Sequence, residues 1–401
     1  MIAKISESRI MGRLEAVPSK SFLHRMLICA ALADGESRIE NFTDSEDILA
    51  SIDCIKAMGA KVREEGNALV VQGAAKNYMA TAVFPCRESG STLRFFIPVA
   101  AAKCGASEFT GSERLMERGV GIYEDILPEK NVTVKRKKGK IFVDGSLCPG
   151  DYEIPGNISS QYITGLLFAL PLLPGDSTLK IIPPVESRAY IDITLEVIKK
   201  AGIEIVESEE NVFKIKGDQT YRPVNERAEG DWSNAAFLFA MNGLGSRIDV
   251  MGLNKTSVQG DRICLEYFEK LNEPGATLDI GGCIDLGPVL FAYAAAKHGG
   301  RFTGTKRLKI KESDRAAVMA EELKKFGVMA EVGENEVLIP DSGLKKPEAA
   351  LDGHNDHRIV MALTVLLALT GGDITGAEAV KKSYPGFFED MRRIGLNVEI
   401  E

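Results

Sequence analysis

Two carboxylates stand where proton transfer would be useful. Asp285 opens the apolar segment "DLGPVLFAYAAAKHGG", and Glu312 sits in "LKIKESDR" among Lys309, Lys311 and Arg315. An acid in such company is either a salt-bridge partner or a general acid or base, and the second role is worth about 10²- to 10⁴-fold in rate. Cations and small polar residues also gather at the starts of other apolar segments. They are Lys20, Ser21 and Arg25 in "PSKSFLHR", Gly90, Ser91 and Arg94 in "SGSTLR", Ser159, Ser160 and Gln161 in "SSQY", and Arg358 in "NDHR". Arg114 and Arg118 in "GSERLMERG" and Lys382 in "KKSYPGF" lie in connections. Helix N-termini carry unpaired N–H groups and partial positive charge, so they receive phosphate and carboxylate. This pattern predicts a small, highly anionic substrate, and two phosphorylated ligands fit it better than one.

Plainer readings stand beside these. Any Ser, Asp or Asn at a helix start serves as an N-cap, and Lys20 could simply be solvated. "KRKKGK" (135–140) reads as a solvated hairpin turn. His354 and His357 are spaced like metal ligands, but Asp356 as a cap and His357 as a packed first-turn residue is the preferred reading. There is no Walker A loop, no G-x-G-x-x-G after a strand and no zinc signature, so nucleotide, cofactor and metal chemistry find no support.

The elements that must hold these residues repeat six times. Each of "SKSFLHRMLICAALADG", "SGSTLRFFIPVAAAKCG", "SSQYITGLLFALPLLPG", "DWSNAAFLFAMNGLG", "DLGPVLFAYAAAKHGG" and "NDHRIVMALTVLLALTGG" has a polar start, an almost wholly apolar body and a glycine near its end. That is a capped core helix with a glycine stop. From Lys20 through Ser91, Ser160, Ser233, Asp285 and His357 the anchors fall 71, 69, 73, 52 and 72 residues apart. A charged amphipathic helix follows each, among them "SEDILASIDCIKAMGA", "MERGVGIYEDILPE" and "YIDITLEVIKKAGI". Several then run into an alternating hairpin such as "AKVREEGNALVVQG". Each unit is thus about βαβαββ, and the spacing of 52 predicts a trimmed hairpin in the fourth. The last unit ends in one strand, "LNVEIE", while residues 1–17 precede the first helix unpaired. Pairing the N-terminus with the last unit gives a discontinuous domain, 1–17 with 230–401, and an inserted domain, 18–229. Two crossings form a hinge, which a closing active site needs.

Composition narrows the partners. With 45% apolar and 26% charged residues the chain is globular, and a net charge of −8 leaves no broad basic face for nucleic acid or an anionic membrane. Seven single cysteines without a C-x-x-C predict a reduced, cytoplasmic protein. "MIAKISESRIMG" lacks a signal-peptide core, and "IVMALTVLLALTGG" is too short to span a bilayer.

Nine segments in order, "PSKSFLHR", "SGSTLR", "GSERLMER", "SSQYITGLL", "SRAYIDITL", "EGDWSNAAFL", "IKESDR", "NDHRIVMAL" and "KKSYPGFF", resemble the signatures of the 5-enolpyruvylshikimate-3-phosphate synthases across essentially the whole chain. The resemblance implies an α/β (α+β) fold of two domains, each an inside-out α/β barrel of three βαβαββ units. It implies a cytoplasmic transferase, a monomer without cofactor or metal. That enzyme moves the enolpyruvyl group of phosphoenolpyruvate to the 5-hydroxyl of shikimate 3-phosphate, on the route to chorismate and aromatic amino acids.

By that resemblance Lys20, Arg118, Lys382 and the Gly90 backbone would hold the phosphate of phosphoenolpyruvate, and Arg315 and Arg358 its carboxylate. Gln161 would lie between the substrates. Lys20, Ser21, Arg25, Ser159, Ser160, Gln161, Ser187, Tyr190, Asp285 and Lys311 would contact shikimate 3-phosphate. Asp285 would take the hydroxyl proton, Glu312 would help protonate the methylene carbon, and Lys20 and Lys382 would assist catalysis. The chain departs from the family's N-A-G-T-A-M-R-P with "ESGSTLRF", placing Glu88, Ser91 and Phe95 where that pattern has Asn, Thr and Pro; it also has Arg307 where many members have Asn. Two rivals remain at this point. One is the sister transferase acting on UDP-N-acetylglucosamine, which typically has Lys-Asn where this chain has Lys20-Ser21 and a loop cysteine where "GSERLMERGVG" has none. The other is a noncatalytic phosphosugar-binding protein.

Overall fold

The structure is a computed structural model describing residues 1–401. Its six core helices are α1 (Lys20–Leu32), α2 (Gly90–Lys103), α3 (Ser160–Ala169), α4 (Trp232–Gly243), α5 (Gly287–Ala296) and α6 (His357–Thr370). They are buried on nearly every side, as their uninterrupted apolar bodies require: Phe22–Leu32 and His357–Ala368 are buried without a break. The sheets lie around them, with strands such as Glu36–Glu40 and Thr81–Pro85 alternating buried and exposed residues. Helices inside and sheets outside invert the usual barrel.

The chain divides into two compact units, one of Met1–Val17 with Gly230–Glu401 and one of Pro18–Glu229. In the latter, each of three four-stranded sheets has a parallel pair flanked by an antiparallel hairpin. The second repeat shows the arrangement: Thr81–Pro85 runs parallel to Ala106–Thr110, which pairs with Lys140–Gly145, which pairs with Val132–Lys137. Lys138 and Gly139 both have positive φ, so "KRKKGK" is a tight hairpin turn.

The N-terminal segment serves two sheets rather than one. Ile2–Ile5 pairs antiparallel with both Gly372–Thr375 and Val398–Ile400, completing the last repeat. Met11–Glu15, by contrast, pairs in parallel with Arg247–Met251 of the fourth. That two-stranded sheet is the whole of the fourth repeat's sheet, so the short spacing reflects a missing hairpin. In the other unit Asn225–Arg227 runs parallel to Glu36–Glu40 and supplies the first repeat's leading strand. The first and fourth repeats have therefore exchanged leading strands: each stays with one unit while the helix that follows it belongs to the other.

The second repeat also departs from a single amphipathic helix. Glu113–Arg118 and Gly121–Ile126 are separate short helices, broken at Gly119, whose φ of +61° ends the first turn. The break places Tyr123. Pro98 has no N–H for the Arg94 carbonyl one turn back, and the Tyr123 hydroxyl lies 2.9 Å from that oxygen. Gly165 permits the approach, since a Cβ there would come within 2.6 Å of the same carbonyl. α2 and α3 are thereby fixed side by side with their N-termini level.

Candidate active site

In the unit of Pro18–Glu229 the starts of α1, α2 and α3 converge through side-chain bonds. Ser19, Ser89 and Ser159 occupy the N-cap positions, and the last two accept the Thr92 and Gln161 amides. Ser160 and Gln161 open α3; Gln161 donates to Ser91 Oγ at 2.9 Å and accepts from Arg94 Nη1 at 2.6 Å, tying α2 to α3. A Cβ on Gly90 would meet Arg94 Nη1 at 3.2 Å and Arg118 Nη2 at 3.2 Å. Two guanidinium groups thus flank one helix N-terminus, a strongly positive place. Lys20, first residue of α1, is ion-paired at 2.7 Å to Asp47, in the first turn of Glu46–Ala57.

Arg25 is the deepest cation of this unit. It donates to Thr194 Oγ1 at 2.8 Å, to the Ser21 carbonyl at 2.8 Å, to the Tyr190 carbonyl at 2.9 Å and to Thr164 Oγ1 at 3.4 Å, and it lies over the Phe95 ring. All these partners are neutral. Burial therefore pulls its guanidinium down to about 9, with little to oppose it. A buried cation held by neutral oxygens is stabilised by an arriving anion. Ser187 stands just before Arg188–Lys200 with φ of +57°, buried and in a conformation that side-chain-bearing residues avoid.

In the other unit the cations around Asp285 are already matched. Arg315, 1% exposed, donates to Asp356 at 2.8 Å, to Asp285 at 2.9 Å and to Glu312 at 2.6 Å. Lys311 lies 3.0 Å from Asp285, and Arg358 reaches the Asp285 carbonyl at 3.2 Å and its carboxylate at 3.5 Å. Burial alone would raise Asp285, yet Lys311, Arg358 and Arg315 together hold it well below the usual carboxylate range. Burial pulls Lys311 down, against the attraction of Asp285. Lys382 Nζ donates to the Asn355 carbonyl at 2.6 Å.

Asp285 is not a helix cap. It lies in the 3-10 turn Ile284–Leu286 that precedes α5, and its carboxylate turns to the three cations. Asp356 does cap α6, accepting the Arg358 amide at 3.0 Å, and it also receives Arg315 and Ser313. His357 is buried behind it. His354 turns instead to Glu322, 3.0 Å away. Three further acids carry no local sequence signal for their partners: Asp47 on Lys20 in the Pro18–Glu229 unit, and in the other unit Asp356 as a partner of Arg315, and Asp261. The last accepts from Ser233 at the start of α4, and burial followed by the nearby Asp285 charge pushes it up to about 6.

The sequence profile described as EPSP synthase (3-phosphoshikimate 1-carboxyvinyltransferase) matches residues 5–391. The chain belongs to the EPSP synthase family. A Clostridium kluyveri 3-phosphoshikimate 1-carboxyvinyltransferase is 41% identical, covering 98% of this chain and 97% of its own length, and one from Clostridium perfringens is 38% identical with the same coverage. The solved structure of an EPSP synthase from Acinetobacter baumannii superposes with a TM-score of 0.79 at 21% identity, covering 100% of this chain and 99% of its own. The resemblance drawn from the nine sequence segments therefore holds, as does the two-domain α/β fold of repeating βαβ units. This EPSP synthase family member is an enzyme of enolpyruvyl transfer in the shikimate pathway, and the family implies shikimate 3-phosphate and phosphoenolpyruvate as its small-molecule substrates. Neither the UDP-N-acetylglucosamine enzyme nor a noncatalytic binder is favoured. No helix is long and apolar enough to cross a membrane.

Proposed function

We propose that the two units are the domains 1–17 with 230–401 and 18–229, and that each contributes its own part of the chemistry. The reading rests above all on two carboxylates sharing one buried guanidinium, with Asp285 and Glu312 at 2.9 and 2.6 Å from Arg315. Glu312 delivers a proton to the methylene carbon of phosphoenolpyruvate, which leaves the adjacent carbon electrophilic. The 5-hydroxyl of shikimate 3-phosphate adds there and gives its proton to Asp285. The tetrahedral adduct then breaks its carbon–oxygen bond to phosphate while the methyl group returns a proton to Glu312, which restores the carbon–carbon double bond as that of the product enol ether.

Lys20, Arg118, Lys382 and the Gly90 backbone hold the departing phosphate and Arg315 and Arg358 the carboxylate, stabilising charge as it develops. Lys20, Ser21, Arg25, Ser159, Ser160, Gln161, Ser187, Tyr190 and Lys311 bind shikimate 3-phosphate. A carboxylate held far below its usual range is a poor base. Here the cations that hold Asp285 are the ones assigned to bind anions, so ligand anions share their pull and Asp285 gains basicity when substrate is present. The single cysteines support a cytoplasmic protein, and the net charge of −8 supports a monomer.

The test is phosphate release by purified protein given shikimate 3-phosphate and phosphoenolpyruvate, each omitted in turn. Release that needs both is the expected result. Release that needs UDP-N-acetylglucosamine instead would move the substrate, and silence with both would remove the assignment.

A further inference from the structure

One buried carboxylate takes no part in the chemistry above. Glu322 lies on Arg315–Lys325, the helix that begins with Arg315, and is fully buried. Both of its oxygens receive Lys325 Nζ at 3.0 Å, one receives the Asp352 amide at 3.0 Å, and the other lies 3.0 Å from His354 Nε2. A charge is kept in the interior only where its partners compensate the lost water. Two of these partners belong to the short loop that enters α6.

That loop is held in an unfavourable shape. His354 and Asn355 have φ of +47° and +51°, two successive residues in the left-handed region without a glycine. The Asp352 carboxylate accepts the His354 amide at 2.7 Å, and the Asp356 amide donates to the Gly353 carbonyl at 2.9 Å. The turn has two products. The Asn355 carbonyl receives Lys382 Nζ at 2.6 Å, and Asp356 receives Arg315 at 2.8 Å. Such a conformation persists only where surrounding contacts over-determine it, and the Glu322–His354 contact is a side-chain tie from the loop's apex to the neighbouring helix.

We propose that Glu322 and His354 form a positioning pair for phosphoenolpyruvate use, fixing the 352–355 loop so that Lys382 and the Asp356–Arg315 pair stand ready. This rests on the assignment of Lys382 and Arg315 to that substrate. The pair touches no reacting atom; it acts through the loop.

Two variants test it. His354→Asn keeps a residue that tolerates positive φ but is too short to reach Glu322, and Glu322→Gln keeps the shape while removing the charge. Phosphate release is measured against each substrate, alongside melting temperature. In both variants kcat falls about tenfold and KM for phosphoenolpyruvate rises about tenfold, because small misplacements of positioned groups are costly. KM for shikimate 3-phosphate, whose assigned partners lie mostly in the Pro18–Glu229 unit, stays within about threefold. The double variant is no worse than the worse single one, since His354→Asn cuts the tie that Glu322→Gln only weakens. A lower melting temperature with kcat and both KM values unchanged would overturn the proposal and leave Glu322 a stabilising residue only. Lys382→Ala separates the two layers. If it cripples turnover while the loop variants are silent, the positioning pair alone falls; if it leaves phosphoenolpyruvate use unchanged, the assignment beneath falls with it.

Discussion

Arg25 and Arg315 are the same residue type, both buried, and they solve opposite problems. Arg25, in the Pro18–Glu229 unit, is surrounded by threonine hydroxyls and backbone carbonyls. Arg315, in the other, is surrounded by Asp285, Glu312 and Asp356. The first is a cation whose charge burial opposes; the second is one whose charge three carboxylates hold, against burial. A site that awaits an anion is built to bind. A site that already contains its counter-ions is built to exchange them, and the carboxylates released by that exchange can then move protons. Lys20 bridges the two types, since it belongs to the binding unit yet is paired with Asp47.

The largest effect that sharpens this contrast is on turnover. Asp285→Asn keeps the shape and the hydrogen-bonding reach but removes the base, so kcat falls by about 10²- to 10⁴-fold. Phosphate release checks it, with shikimate 3-phosphate binding retained. Unchanged turnover would break the division of labour, because Asp285 would then be no more than a counter-ion.

The two arginines predict opposite stabilities. Arg315→Met takes a guanidinium partner from three carboxylates, one of them, Asp356, fully buried, and is expected to destabilise the protein by about 3–5 kcal/mol. Arg25→Met leaves Thr164, Thr194 and the Tyr190 carbonyl still bonded to one another, so its unfolding midpoint should move little. The same change should raise KM for shikimate 3-phosphate about 10- to 100-fold, the loss of a charge-assisted contact. Denaturant titration and steady-state kinetics on the pair decide the matter. Equal destabilisation would mean that Arg25 is as structural as Arg315.

How much of this could be read beforehand depended on whether the signal was local. The six core helices were legible because each has an almost wholly apolar body, a polar residue at or just before its start and a glycine near its end. The helix starts therefore marked Lys20, Gly90, Ser160 and Arg358 directly. The strand exchange was not legible: Met11–Glu15 and Asn225–Arg227 are short, and their partners are chosen by tertiary packing rather than by pattern. Asp356 was read as a cap, which it is, but nothing local announces its pairing with Arg315 forty-one residues away. Asp47 was hidden in the same way, in the first turn of an ordinary amphipathic helix.

Asp261 tests the exchange site through pH. Its folded value of about 6 lies above the ordinary carboxylate value of 3.8, because it is buried and faces Asp285, with Arg358, Ser233 and Asp231 also acting on it. Between those values the unfolded chain has released the proton while the folded one keeps it, so this group's contribution to stability declines as pH rises from about 4 to about 6. Asp261→Asn should remove this decline. Melting temperatures of both proteins over that range check the sign. Parallel profiles would mean that Asp261 titrates like a surface acid and that the field of Asp285 does not reach it.

The smallest effect concerns the binding unit, where space rather than charge is the constraint. A methyl on Gly90 would meet Arg94 Nη1 at 3.2 Å and Arg118 at 3.2 and 3.3 Å, closer than a comfortable contact but against the far ends of flexible side chains. These ends yield by a few tenths of an ångström, so Gly90→Ala should leave the melting temperature almost unchanged, and alanine even favours the helix. The cost falls on geometry: both guanidinium groups are pushed away from the α2 N-terminus where the phosphate is assigned. KM for phosphoenolpyruvate should therefore rise by about 3- to 10-fold, roughly 1 kcal/mol, with kcat and KM for shikimate 3-phosphate little altered. A rise confined to shikimate 3-phosphate would move the phosphate of phosphoenolpyruvate away from Gly90 and leave Arg118 and Arg94 to the other substrate.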